Sequence, residues 1–156
     1  MSIDRVRSYL AKYNLKDKML EFPVSSATVE LAAKALNTEP SRIAKSLSFM
    51  LDIPIIIVTS GDMRIDNVKY KQLFDTKAKM LSPDDAEMLL GHAVGGVCPF
   101  GINDNVKVYL DESLKRFNTV FPACGSSNSA IELTPNELEK TCQNFASWID
   151  VCKPKE

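Results

Sequence analysis

Apolar positions along the chain fall into helical and strand periods. Ile3, Val6, Leu10 and Tyr13 recur at helical spacing and predict a first helix capped by Ser2. Residues 19–22 read as a short extended segment that Pro23 ends. Thr28 predicts a cap for a second helix with Val29, Ala32, Ala33 and Leu36 on one side. Pro40 predicts a short helical turn at 41–44. Leu47, Phe49 and Leu51 then alternate with Ser46, Ser48 and Met50, a strand pattern. The β-branched run PIIIVTSGD (54–62) predicts a central strand covered on both faces.

The second half continues in short pieces. Asp66 starts a predicted helix through Phe74, and 79–81 reads as a short strand. Ser82, Pro83 and Asp85 open a helix that Gly91 terminates. Residues 91–105 hold four of the six glycines and predict no regular structure. Strands are expected at 106–110, 119–123 and 130–133, with a tight turn at 125–129. Thr134, Pro135 and Glu137 form a capping box for a helix to about Phe145, followed by a last strand at 148–151. This irregular alternation predicts a mixed α/β (α+β) fold, a single domain over residues 1–156. Its sheet is expected to be curved, mixed and partly barrel-like, with helices packed around it.

Composition narrows the class. The chain has 156 residues, 45% apolar and 25% charged, enough to hold a real core. The longest apolar run, 53–58, is strand-sized, and the charged first residues lack a secretory core. A cytoplasmic protein without membrane contact is expected. The net charge of −1 excludes a general nucleic-acid coat. Residues 1–81 nevertheless carry a net +4 and residues 82–156 a net −5. Arg64, Lys69, Lys71, Lys77 and Lys79 lie close together, a local basic face able to dock a phosphate backbone. Cys98, Cys124, Cys142 and Cys152 form no C-x-x-C pair, and with the single His92 they do not match zinc spacing. Reduced thiols, no metal and no cofactor are expected.

Three features can carry chemistry. The loop Gly95-Gly96-Val97-Cys98-Pro99-Phe100-Gly101 can bring backbone N–H groups close to an anion or a developing oxyanion. The loop Gly125-Ser126-Ser127-Asn128-Ser129 offers small hydroxyls and an amide. Strand parity puts Lys45 in line with Leu47, Phe49 and Leu51, an unusual place for lysine unless its ammonium reaches a cleft. Cys98 with His92 six residues away is a candidate nucleophile–base pair. Each feature also has a plain structural reading: a tight connection, a snorkelling lysine, a buried thiol and a helix-end histidine. No P-loop and no G-x-S-x-G elbow is present.

Taken together, T-V-E-L-A-A (28–33), R-I-A-K-S-L-S-F (42–49), P-I-I-I-V-T-S-G-D (54–62), G-H-A-V-G-G-V-C-P-F-G (91–101), V-Y-L-D (108–111) and G-S-S-N-S-A-I-E-L-T-P (125–135) resemble the YbaK-type aminoacyl-tRNA deacylases. The same fold occurs as the editing domain of bacterial prolyl-tRNA synthetases. The resemblance spans roughly residues 20–145. It implies a freestanding trans-editing hydrolase that cleaves the ester between a wrong amino acid and tRNA, commonly a proline tRNA. The family's lysine falls on Lys45, its Gly-x-x-x-Pro loop on Gly95 and Pro99, and its last pocket loop on 125–129.

The expected site follows. Lys45, Gly95 and Gly96 are the expected catalytic residues. Val29, Phe49, Val97, Cys98, Pro99, Gly125, Ser127, Asn128 and Ser129 are expected to bind substrate, with Ala33 and Leu36 in the pocket wall. Lys45 would anchor the terminal phosphate or ribose, or support developing charge, while the Gly95–Gly96 amides hold the carbonyl. The acyl group would be a small non-cognate residue such as Ala, Ser, Thr or Cys, selected by size and polarity. The expected partners are the acceptor end of aminoacyl-tRNA and a prolyl-tRNA synthetase, and a chain this small can act as a monomer. Two alternatives stand beside this: a non-catalytic tRNA- or synthetase-binding module of the same fold, and a Cys98/His92 thiol hydrolase.

Overall fold

The computed structural model describes residues 2–93 and 95–155. The described helices are α1 (Ser2–Ala11), α2 (Val29–Leu36), α3 (Asn67–Phe74), α4 (Pro83–Leu90) and α5 (Pro135–Thr141). The strands are β1 (Leu20–Glu21), β2 (Ile43–Met50), β3 (Pro54–Ser60), β4 (Met63–Ile65) and β5 (Lys107–Asp111). They continue with β6 (Phe121–Pro122), β7 (Ser129–Ala130), β8 (Phe145–Ile149) and β9 (Cys152–Pro154). Four helices start where a side-chain oxygen accepts an otherwise unpaired first-turn N–H: Thr28, Asp66, Ser82 and Thr134.

A five-stranded mixed sheet in the order β6-β2-β3-β5-β8 forms the centre. All seven residues of β3 are buried, as its unbroken apolar run predicts. Its alternate residues feed two cores. Ile56 and Val58 point into the larger one with Val6, Leu10, Leu90, Val108 and Leu110. Ile55 and Ile57 join Phe49, Tyr70 and Ile149 in the second, on the side of α3. There the Phe49 and Tyr70 rings lie 5.2 Å apart, and Tyr70 continues to Phe74 at 4.8 Å. A third cluster packs Ala32 and Ala33 of α2 against Ile43 and Phe121.

Several boundaries differ from the sequence pattern. The expected helical turn at 41–44 is a 3-10 turn over Pro40–Arg42, and β2 begins at Ile43. The expected strand at 79–81 reduces to one bridge, Phe49↔Met80. The stretch 119–123 keeps two strand residues, Phe121 and Pro122, and 130–133 keeps one, Ala130, joined further by the Val120↔Leu133 bridge. The last helix stops at Thr141, and Asn144 at φ 55° turns the chain into β8. Strands β4 and β9 have no counterpart in the sequence reading. They pair antiparallel as a separate two-stranded ribbon, Met63↔Pro154 to Ile65↔Cys152.

Phe49 is 2% exposed in this aromatic core. Phe49→Ala is expected to cost about 3–5 kcal/mol of stability, measured by urea denaturation. A loss below 1 kcal/mol would show that the second core tolerates the cavity.

Candidate active site

The outer edge of β2 is paired only near its ends. Its ladder with β6 covers Ile43↔Phe121 and Ala44↔Pro122. Pairing on that edge resumes where the Leu81 N–H donates to the Ser48 carbonyl and the Met50 N–H to the Lys79 carbonyl. Between these points, Lys45, Ser46 and Leu47 line a cavity of about 400 Å³. The start of α2 closes one side with Val29 and Ala32. Met80, Pro83 and Ala86 close another, and Phe121, Ala123 and Ala130 a third.

Chemistry in this cavity is sparse. Lys45 carries the only charged side chain among its described lining residues; the other polar side chains are the hydroxyls of Ser26, Thr28, Ser46, Ser48 and Ser129. Among the described lining residues there is no carboxylate, imidazole or thiol. The Lys45 Nζ donates to the Met63 carbonyl at 2.6 Å. Burial, followed by repulsion from Lys155, pulls the Lys45 ammonium down to about 8.

The two glycine loops meet. A Cβ on Gly96 would lie 2.6 Å from the Gly125 carbonyl carbon and 2.8 Å from the Ser126 nitrogen, so only glycine fits. Gly95, at φ +89°, lines the cavity, and a side chain there would crowd Ala27 and Ser127. The Gly96 N–H donates to the Ala93 carbonyl at 3.0 Å. That amide therefore closes a turn, whereas the oxyanion role expected of it needs a free N–H.

Of the other expected residues, Val29, Val97 and Ser129 line the cavity with Lys45 and Gly95. Six lie behind it. Phe49 shares parity with Lys45 but is sealed in the second core. Cys98 is buried beneath the glycine loop, and the carbonyl of Pro99 accepts from the Gln143 N–H. Gly125 packs on the first turn of α1, where a Cβ would lie 2.8 Å from the Ser2 carbonyl oxygen. Ser127 and Asn128 position the chain that enters the site. The Ser127 carbonyl accepts from the Ser26 N–H at 2.6 Å, and the Asn128 carbonyl from the Phe22 N–H at 2.8 Å. The Asn128 amide also donates to the Phe22 carbonyl at 2.9 Å. In the α2 wall, Ala32 rather than Ala33 or Leu36 reaches the cavity, one residue from the expected position. Met80, Pro83, Ala86 and Phe121 escaped the sequence reading, because nothing in their local pattern links residues 80–86 and 121 to the hole beside Lys45.

Cys98 and His92 do not make a nucleophile–base pair. Both are fully buried, and neither lines the cavity. The His92 Nε2 lies 2.7 Å from the Phe100 carbonyl, so that nitrogen carries the proton and cannot take one from Cys98. The thiol donates to the same carbonyl at 3.5 Å. Burial pushes Cys98 up to about 12 and His92 down.

A half-open sheet, two meeting glycine loops and one lysine at the opening define a class. Residues 24–141 match the profile of the aminoacyl-tRNA editing domain, and the chain belongs to that family. It is accordingly an enzyme of aminoacyl-tRNA editing, a deacylase. The chain is 54% identical over the whole of both proteins to "Uncharacterized protein YwhH" of Bacillus subtilis (strain 168). It is 28% identical to the "Putative Cys-tRNA(Pro)/Cys-tRNA(Cys) deacylase EbsC" of Enterococcus faecalis (strain ATCC 700802 / V583), over 71% of this chain and 70% of that one. A solved structure titled "Crystal structure of a putative trans-editing enzyme for prolyl tRNA synthetase" superposes with a TM-score of 0.85. It is 31% identical and covered over 97% of both chains. The chain spans 18% of the length of the proline–tRNA ligase of Geobacillus sp. (strain WCH70), which it matches at 28% identity over 102 residues.

Among the described residues no helix is long and apolar enough to cross a membrane. The inertness of Cys98 is testable. At pH 8 the native protein is expected to resist iodoacetamide at Cys98 and react there only after unfolding, as read by peptide mass spectrometry. Labelling of Cys98 in the folded protein would overturn its buried, protonated state.

Proposed function

We propose that the protein deacylates tRNA mischarged with a small non-cognate amino acid, Ala, Ser, Thr or Cys, foremost on a proline tRNA. It would do so in the cytoplasm, acting after a prolyl-tRNA synthetase. One observation carries the reading: a mostly apolar cavity holds one lysine and no other charged side chain among its described lining residues. An aminoacyl ester has a good leaving group, so its hydrolysis needs placement more than a strong base. Water attacks the ester carbonyl, the tetrahedral carbon expels the ribose oxygen, and that oxygen regains a proton. Lys45 is suited to hold the terminal ribose or phosphate and to offset the negative charge that grows on the leaving side. The apolar walls admit a short side chain and exclude a bulky one, the logic of a second sieve.

The basic segment supports the same reading. Arg64, Lys71, Lys77 and Lys79 are exposed, and the chain runs directly from Lys79 into Met80 and Leu81 at the cavity wall. An acceptor stem lying along these bases would bring its aminoacyl end to Lys45. Lys69 belongs to the protein's own packing: it donates to Asp150 at 2.9 Å and to the Cys152 carbonyl at 2.8 Å.

The deciding assay charges tRNAs with Ala, Ser, Thr, Cys or Pro and follows release. Wild type is expected to free one or more of the small non-cognate residues and spare Pro, with Lys45→Ala at least 100-fold slower. Equal rates in the two proteins would remove Lys45 from the reaction. Measurable tRNA binding without release from any member would instead favour a binding module of the same fold.

Removing charge at Lys71, Lys77 and Lys79 together is expected to weaken tRNA binding. It should also reduce the slope of log affinity against log salt by about 0.7–0.9 per lost phosphate contact. An unchanged slope in filter binding would place the tRNA elsewhere.

A further inference from the structure

We infer that the last strand, β9, is part of the deacylation site: it holds the Met63 carbonyl that grips Lys45, and it delivers Lys155 as a second cation for the tRNA backbone. The inference rests on the deacylase reading and names residues beyond the family match, which ends at 141.

The geometry is a clamp. β4 is paired by β9 and by no other strand among the described residues. The ribbon is tied at both ends, where the Asp66 N–H donates to the Val151 carbonyl at 2.9 Å and the Lys155 N–H to the Asp62 carbonyl at 3.0 Å. Met63 lies opposite Pro154 in this ladder, and its carbonyl receives the Lys45 ammonium. The position of the lysine head therefore depends on β9 although Lys45 and Cys152 are 107 positions apart in the chain.

Charge completes the argument. The ionisable groups acting on the Lys45 head are Lys155 just past β9, Cys152 within it and Glu30 in the first turn of α2. Lys155 is the largest of these and repels. The nearby Asp62 carboxylate is turned to Arg116, which reaches it at 2.6 and 3.1 Å. Arg116 dominates its charge, and Lys155 acts on it more weakly. The Lys155 N–H is bonded to the Asp62 carbonyl, one residue before Met63, so its ammonium repels the Lys45 head held on the Met63 carbonyl, and an anion between them relieves that repulsion. With an aminoacyl ester inside the cavity, the anion available at the mouth is a phosphodiester of the same tRNA 3′ end. Lys155 is then a binding residue and β9 a positioning element for Lys45.

The test uses full-length protein with Lys155→Ala, Lys155→Arg and, as a control on the same strand, Lys153→Ala. Reductive 13C-methylation followed by NMR titration reads the Lys45 amine directly. Lys155→Ala is expected to move its midpoint upward from about 8, while Lys155→Arg and Lys153→Ala leave it near the wild-type value. In deacylation, Lys155→Ala is expected to raise KM at least five-fold with kcat within two-fold, and Lys155→Arg to restore KM. An unmoved Lys45 midpoint in Lys155→Ala overturns the pairing whether or not any tRNA is deacylated. A moved midpoint with unchanged KM overturns the phosphodiester role. Absence of deacylation by wild type counts against the deacylase reading, and the titration still decides the pairing.

Discussion

The site depends on an interruption in β-pairing. Strand β2 is long enough to be laddered on both edges, and on the β3 edge it is, from Ala44 to Met50. On the other edge β6 contributes two residues and Met80 a single bridge. An unpaired edge inside a protein exposes polar backbone and is normally covered or closed. Here the gap is walled by side chains from α2, α4 and the β6 segment, and it becomes the cavity. The rigidity of the fully buried β3 behind it keeps the gap from closing: β2 is pinned to a strand that cannot shift without disturbing two cores.

The glycine loops serve that same gap. Their conformational freedom is used for close approach of one loop to the other at Gly96 and Gly125, and of the second loop to α1. The hydrogen bonds of Ser127 and Asn128 then fix residues 22–26, which lead into Thr28 and the capped start of α2. Residues that look like ligands in a sequence thus act one layer out, by setting where Ser26, Val29 and Gly95 stand. Cys98 and Phe100 are the packing under that layer, and their burial makes the loop a platform.

Much of the fold was legible because local signals agreed with the global arrangement. The run 54–60 read as a central strand and is one, and Thr28, Ser82 and Thr134 mark helix starts by the same side-chain chemistry in sequence and structure. Lys45 was legible as a charge in line with an apolar face. The misses have a common physical origin. β4 and β9 are three residues each, one ends in Pro154, and neither alternates strongly. Their stability comes from each other across about ninety residues of chain, which no local pattern records. Phe49 illustrates the limit of parity: two positions on one strand face share a side, yet the strand carries one into a core and leaves the other at an opening.

The scarcity of reactive groups is consistent with what an editing site has to do. A strong nucleophile or base beside the ester would hydrolyse any aminoacyl-tRNA that reached it, the correct one included. Discrimination then would rest wholly on binding, where one methylene is worth about 1–3 kcal/mol. A site that works by holding the 3′ end and the acyl group in register behaves differently. A side chain too large for the gap displaces the carbonyl from its productive position, and a misplacement of about 1 Å can cost about 100-fold in rate. Shape is thereby converted into rate as well as affinity. That conversion requires a fixed cation, since a lysine free to follow a misplaced ester would restore the reaction. On the function proposed above, the bond from Lys45 to the Met63 carbonyl would supply this fixity.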